Sequence, residues 1–107
     1  MGMKSSVVPL EMSDRTLARK IAQVSRDSSR VALTTHAKQR MRQRRILLTQ
    51  VIKVLQEGLV VEHAHRDVYG SWKCTLEKTV AGDRIKVAAA LRSGDDGEMV
   101  IVITVMN

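Results

Sequence analysis

The stretch His36-Ala-Lys-Gln-Arg-Met-Arg-Gln-Arg-Arg-Ile46 decides how the rest of the chain is arranged. At 3.6 residues per turn, Ala37 and Met41 lie one turn apart, which predicts a helix side that faces a core. Thr34 and Thr35 stand just upstream, and either can cap the helix. Another side of this helix is polar and carries four residues: His36, Arg40, Gln43 and Arg44.

Positive charge is concentrated around this stretch. Residues 28–56 contain seven basic residues and no acidic one, while residues 1–27 sum to +2 and residues 57–107 to −2. This window therefore accounts for the formal net charge of +7. A sequence pI near 10.2 favours an anionic partner: nucleic acid, an acidic protein or an anionic membrane surface.

Composition predicts one globular domain. The chain has 107 residues, of which 44% are hydrophobic and 27% charged, values that argue against wholesale disorder. Only Tyr69 and Trp72 are aromatic, so aliphatic residues must build the core. Cys74 is the single cysteine, which excludes an internal disulfide and favours the cytoplasm. No apolar run is long enough to span a membrane and no secretory signal opens the chain, so we expect no membrane partner.

We divide the chain into a flexible N-terminal lead-in over residues 1–12 and a single α+β domain over residues 13–107. The first six residues fit the loose N-myristoylation pattern, which is too short to be specific. Ser13 is typical of an N-cap, and Leu17 and Ile21 recur at helical spacing, so a first helix is predicted through about Arg26.

Two further helices follow in the prediction. The apolar residues 31–33 are expected to form a short tether into the basic helix, and Leu47-Leu48 a short apolar connection out of it. Thr49 is expected to cap the third helix, and Gly58 to end it in a left-handed conformation.

From residue 59 onwards the pattern is typical of strands separated by turns. The fold class is therefore α+β, with N-terminal helices packed on one face of a three- to four-stranded antiparallel sheet. The last strand is almost wholly apolar, so we expect it to be central. The strands are predicted over residues 59–67, 71–80, 84–92 and 98–106, with hairpin turns at 81–83 and 94–97.

Over about residues 33–106 the sequence resembles the domain of unknown function 4258 family. Its basic helix has the form His-Ala-x-x-Arg-Met-x-x-Arg-x-Ile, followed by a Val-x-x-Val-Leu helix that glycine ends, and by a terminal Val-Ile-Thr-Val strand. The residues that carry this resemblance are His36, Ala37, Arg40, Met41, Arg44, Ile46, Val51, Val54, Leu55, Gly58 and 102–105.

The helix-then-sheet layout of this family is similar to that of the RelE-like and BrnT-like toxins of bacterial toxin–antitoxin modules. The resemblance therefore implies a RelE-toxin-like fold, a metal-independent ribonuclease activity and an antitoxin-like acidic partner. It is an analogy at the level of fold. One departure is that the last strand ends at Met106 and Asn107, neither of which titrates, whereas RelE-like toxins often place catalytic groups there.

Metal-free cleavage of RNA needs a general base, a general acid and cations on the phosphate. We expect His36 to be the acid/base residue, because its ordinary pKa is near neutral and a helix N-terminus favours a phosphate nearby. Arg40 and Arg44 would then hold that phosphate. The alternative is that His36 has only a structural role. Arg40 and Arg44 would then be solvated or paired with Glu62, Asp67 and Glu77.

Nucleic-acid contacts are predicted on the same helix and on the second strand; their residues are Lys38, Arg42, Arg45, Tyr69, Trp72 and Lys73. Tyr69 and Trp72 can stack on bases, although Trp72 also suits a core or edge position. His63 and His65 lie two apart on a predicted strand, where they can pair with His36 in catalysis or, with Cys74, form an incomplete zinc ligand set. We predict no metal and no cofactor.

Two functions remain open at this point. One is a small basic RNA-directed protein, with RNA or the ribosome as partner, that acts as a metal-independent endoribonuclease of toxin type. The other is a non-catalytic module that binds nucleic acid or an acidic protein. The sequence does not give the oligomeric state.

Overall fold

The structure is a computed structural model that describes residues 12–107. Apart from Met12, the predicted lead-in lies outside the described residues, as does the myristoylation pattern. Met12 itself is half-buried and packs against the core.

Three α-helices and a mixed five-stranded sheet form the fold of residues 12–107, with strand order β1-β5-β4-β3-β2. A 3-10 turn over Ser28–Arg30 precedes β1. The helices are α1 (Asp14–Val24), α2 (Thr35–Arg44) and α3 (Leu48–Glu57), and the strands are β1 (Val31–Leu33), β2 (Leu59–Arg66), β3 (Trp72–Val80), β4 (Asp83–Gly94) and β5 (Gly97–Met106).

The α+β class and the four antiparallel strands are confirmed. The predictions of a three- to four-stranded, purely antiparallel sheet and of helices that all precede the strands are wrong, because the sheet has five strands and β1 precedes α2. Residues 31–33, predicted as a tether, form β1 and pair in parallel with β5, so that Val31 lies opposite Val100 and Leu33 opposite Val102. β5 is consequently flanked by β1 and β4, which confirms its predicted central position.

One face of the sheet carries the core. Trp72, Cys74 and Leu76 of β3 belong to it, as their alternation with Lys73, Thr75 and Glu77 predicts, although Thr75 is itself buried. Leu17 and Ile21 of α1 are fully buried in the same core, so α1 is integral to the fold. The fully buried residues that α3 and the two central strands add are Val51, Val54, Ile85, Val87, Ala89, Val100, Val102 and Val105.

Helix caps are confirmed in two cases and wrong in two. Ser13 caps α1 and Thr34 caps α2. For α3 the N-cap is Leu47 rather than Thr49, and Gln50 Oε1 accepts the Leu47 N–H at 2.9 Å. Gly58 is extended, with φ −72° and ψ 159°, and not left-handed. Glycine is needed there because a Cβ would lie 2.6 Å from the Val54 carbonyl oxygen.

Candidate nucleic-acid interface

Thr34 fixes where the basic helix α2 starts against the sheet. Its N–H donates to the Val102 carbonyl oxygen at 3.1 Å, and its Oγ1 donates to the Ile103 carbonyl oxygen at 2.8 Å. The same Oγ1 accepts the Ala37 N–H at 3.0 Å. Ile103 is the extra residue of a β-bulge, because Val102 pairs with Ala89 while residue 104 pairs with residue 88. One side chain therefore ties the helix N-terminus to the irregular point of the central strand.

The core side of α2 is the predicted one. Ala37 is fully buried and Met41 is half-buried against the core. At 100° per residue, the charged residues then fall on the two flanks of this core side. We call the flank with His36, Arg40 and Arg44 the first row, and the flank with Lys38, Arg42 and Arg45 the second row.

Neither row is neutralised by the acids that the structure describes. The carboxylates of residues 12–107 that form ion pairs do so with residues of other segments: His63, Arg30, Lys53, Lys78, Lys86 and Lys20. The structural alternative, in which three sheet carboxylates pair with the helix, is wrong. Glu62 accepts the Thr75 hydroxyl, Asp67 accepts main-chain N–H groups of its own turn, and Glu77 pairs with Lys86.

Within the first row, Arg40 is more buried than His36 and Arg44. His36 lies in the first turn of α2 and is exposed, as is Arg44 near the other end. Arg40 is half-buried, and its Nε is buried without a hydrogen-bond partner among the described residues. Packing therefore restricts the Arg40 stem while its charge stays uncompensated within residues 12–107.

Arg45 ends α2 in the left-handed conformation, with φ 56° and ψ 43°. Its N–H donates to the Arg42 carbonyl oxygen, and the Ile46 N–H donates to the Met41 carbonyl oxygen at 2.9 Å. These two bonds form a Schellman motif, whose left-handed position usually holds glycine. An arginine there is unfavourable for the backbone. Only a structure shows this feature, because Arg45 carries no local signal for it.

Beside the second row lies a groove of about 450 Å³, between the end of α2 and the start of α3. Its lining is aliphatic with a cationic rim, and consists of Leu33, Lys38, Met41, Arg42, Arg45, Ile46, Leu47 and Leu48. The sequence indicates an apolar connection at residues 47–48, but its periodicity does not show that both side chains stay exposed. The sequence interpretation therefore missed this groove.

The predicted aromatic contacts lie away from α2. Tyr69 and Trp72 line a second pocket with Arg66 and Leu91, and the Arg66 guanidinium carbon lies 5.3 Å from the Trp72 ring centroid. Lys73 is the next residue of β3 and does not line this pocket. No described residue of α2 lines this pocket, so the pocket and the basic helix are separate surfaces.

The predicted zinc ligands are also apart. The ring of His63 contacts Asp14, and the ring of His65 contacts the His63 carbonyl oxygen. Cys74 is buried, and burial raises the pKa of its thiol to about 11, which leaves it protonated. Within residues 12–107 no group of three potential metal ligands comes together. Both histidines lie on β2, at the far edge of the sheet from α2, so neither can pair with His36 in catalysis.

Comparison with known proteins gives one match. Residues 33–107 match the family described as Domain of unknown function (DUF4258). The chain belongs to the DUF4258 family. The match begins at the last residue of β1, so α1 lies outside the DUF4258 match although it packs into the same core.

No curated protein and no solved structure matches this DUF4258 chain. The likeness to RelE-like and BrnT-like toxins therefore stays a prediction. No helix in the described part of the chain has the length and apolar character needed to cross a membrane.

Proposed function

We propose that this DUF4258 chain is a small basic RNA-binding protein of the cytoplasm, and that α2 is its RNA-binding element. One observation carries the proposal. Five cations lie in or directly after a helix of 10 residues, and none of them has a carboxylate partner in the part of the chain that the structure describes. Lys and Arg side chains that pair with none of the described acids are suited to bind phosphates, whose condensed counterions they release.

The first row favours phosphate contact on stereochemical grounds. Arg40 and Arg44 lie one turn apart, about 6 Å along the helix axis, and each guanidinium can bind phosphate through two N–H groups. Because the Arg40 stem is half-buried, less rotamer entropy is lost when it binds. His36 lies one turn upstream at the helix N-terminus, where the helix dipole attracts an anion.

The proposal is binding rather than cleavage, because cleavage needs a general acid and a general base. His36 is the only histidine on α2, and the other two lie on β2. Three strand spacings separate β5 from β2, about 14 Å, which is too far for one reacting phosphate. A single histidine on the exposed side of α2 supports contact with RNA better than acid–base cleavage of it.

Fluorescence anisotropy with a labelled single-stranded RNA of about 20 nucleotides tests this proposal. Contacts to three to five phosphates predict that the association constant falls roughly 20- to 100-fold between about 50 and 200 mM KCl. Arg40→Gln/Arg44→Gln should reduce the slope of log K against log salt by about 1.4. The matched control is Arg15→Gln/Arg19→Gln, which removes the same charge at the same spacing from exposed positions of α1.

RNA binding that does not depend on salt, or that both double variants weaken equally, would contradict the proposal. The same samples, run on a denaturing gel, report on cleavage. RNA fragments that appear with wild type and disappear with His36→Gln would replace the binding proposal by the ribonuclease function. Intact RNA together with salt-dependent affinity is the expected result.

A further inference from the structure

The groove beside the second row exposes aliphatic surface that the fold itself does not use. Leu47 is 65% exposed and Leu48 45% exposed. Leu48 also lines an adjoining apolar depression with Ile52, one turn further along α3. The apolar floor therefore continues from the end of α2 onto the first turns of α3. A contiguous apolar surface with a polar rim is typical of a protein interaction site.

The rim of the groove is entirely cationic. Lys38, Arg42 and Arg45 line it, and no carboxylate does. Arg45 occupies the left-handed position where glycine would fit without strain, so the backbone there is held in a less favourable state that places a cation at the rim. Strain of this kind is found preferentially at binding and switch positions.

The chemistry of the lining selects one class of occupant. Bases of single-stranded RNA stack mainly on aromatic side chains, and the described residues that line the groove include none, because its floor is aliphatic. A second copy of the chain would bring its own cationic rim and a net charge of +7 to the contact. A peptide with branched aliphatic side chains and flanking carboxylates matches both the floor and the rim.

We propose that this groove binds an acidic amphipathic segment of a partner protein, with its aliphatic side chains on Leu47 and Leu48 and its carboxylates against Lys38 and Arg42. The apolar contacts supply the affinity, and the charges set its orientation and its association rate. This proposal does not depend on RNA binding, because the groove lies on the opposite flank of α2 from Arg40 and Arg44.

A displayed library of helical peptides of about 15 residues, varied in aliphatic and acidic content, tests this inference. We expect selection to enrich peptides that combine Leu or Ile at helical spacing with Glu or Asp beside them. The enriched peptide is then titrated by calorimetry against wild type and Leu47→Ser/Leu48→Ser. This variant should keep its fold, because serine is a good N-cap at position 47.

The groove variant should weaken peptide binding at least about tenfold. Lys38→Gln/Arg42→Gln should weaken it about fivefold and reduce its salt dependence. The matched control, Leu59→Ser/Val68→Ser, removes two exposed apolar side chains elsewhere and should change nothing. Circular dichroism of each variant shows whether the fold is kept.

Several results would overturn the inference. The selection could enrich no peptide, or it could enrich acidic peptides that lack aliphatic residues. The control Leu59→Ser/Val68→Ser could also lose as much affinity for the peptide as the groove variant does. Self-association that Leu47→Ser/Leu48→Ser abolishes would assign the groove to a second copy. Peptide binding that requires deletion of residues 1–11 would assign it to the chain's own leading segment. Arg40→Gln/Arg44→Gln separates the two proposals, because it should weaken RNA binding and leave the peptide bound.

Discussion

Asp14, the first residue of α1, bridges to the edge strand β2 through His63: Asp14 Oδ2 lies 2.7 Å from His63 Nδ1. Asp14 Oδ1 accepts the Ala64 N–H at 2.6 Å. This N–H lies where the register of β2 against β3 shifts, between Glu62 and His65. The carboxylate therefore completes the hydrogen bonding of an irregular strand, and attaches α1 to the edge of the sheet.

This pair predicts a pH dependence of stability. The hydrogen bond with Asp14 raises the pKa of His63 above its ordinary value of 6.5. The Ala64 N–H, followed by the His63 hydrogen bond, lowers the pKa of Asp14 below its ordinary value of 3.8. The histidine contribution is thus complete below pH 6.5 and is lost as pH rises through the raised pKa. The Asp14 contribution is present above pH 3.8 and is lost as pH falls through the lowered pKa.

We expect the free energy of unfolding in urea to fall as the pH rises above about 6.5, through the raised pKa of His63, and we expect His63→Gln to remove this fall. His65→Gln is the control, because the ring of His65 contacts the His63 carbonyl oxygen and not Asp14. The assignment to His63 fails if the slope is the same in wild type and His63→Gln.

Thr34→Val should destabilise the protein by about 1–2 kcal/mol. The substitution leaves the Ala37 N–H without its cap and the Ile103 carbonyl oxygen without the hydroxyl donor. Thr34→Ser keeps both hydrogen bonds and should lose only a small part of this amount. Urea unfolding of the two variants measures the difference. Equal stabilities would show that the hydroxyl does not anchor α2.

Arg45→Gly should raise the free energy of unfolding by up to about 1 kcal/mol, because glycine adopts positive φ without a Cβ penalty. Arg45→Ala removes the same cation but keeps the Cβ, so its stability should stay near that of wild type. Thermal unfolding of the three proteins is the measurement. A gain in Arg45→Ala equal to that in Arg45→Gly would point to charge repulsion as the cause and not to backbone conformation.

Gly58→Ala should destabilise the protein by about 1–3 kcal/mol. The added Cβ would lie 2.6 Å from the Val54 carbonyl oxygen and 3.2 Å from the Leu76 Cβ, so the end of α3 must move away from β3. Gly94→Ala is the control, because its nearest neighbour would be 3.8 Å from the new Cβ. Comparable unfolding midpoints in urea for the two variants would contradict the clash.

The sequence predicts what local periodicity and capping determine. The spacing of Leu17 and Ile21 predicts α1, and the Ala37–Met41 spacing predicts which side of α2 faces the core. The sequence did not predict β1, because a run of three apolar residues is too short to show the periodicity of a strand. Residues 31–33 form a strand only by pairing with residues 100–102. The Gly58 prediction used the commonest reason for glycine after a helix, whereas the actual reason is the close approach of the Val54 carbonyl oxygen, 2.6 Å from where a Cβ would lie.

For the candidate site, the sequence located the charge and the helix side that carries His36, Arg40 and Arg44, but not the surroundings of each side. It placed the cations on one helix, and the structure divides them into two flanks with different surroundings. The contact between Asp14 and His63 spans 49 positions of the chain, and no local pattern signals it. The distance of Tyr69 and Trp72 from α2 follows from strand order, which spacing along the sequence does not give.

The parallel pairing of β1 with β5 has a consequence for synthesis on the ribosome. β1 is the first of the five described strands to emerge and β5 the last, yet β5 fills the place between β1 and β4. Until residues 97–106 leave the exit tunnel, the Val102 and Ile103 carbonyl oxygens cannot accept hydrogen bonds from Thr34, and α2 lacks its main partner strand, β5. The nascent chain therefore carries its cationic helix without this anchor until β5 has emerged.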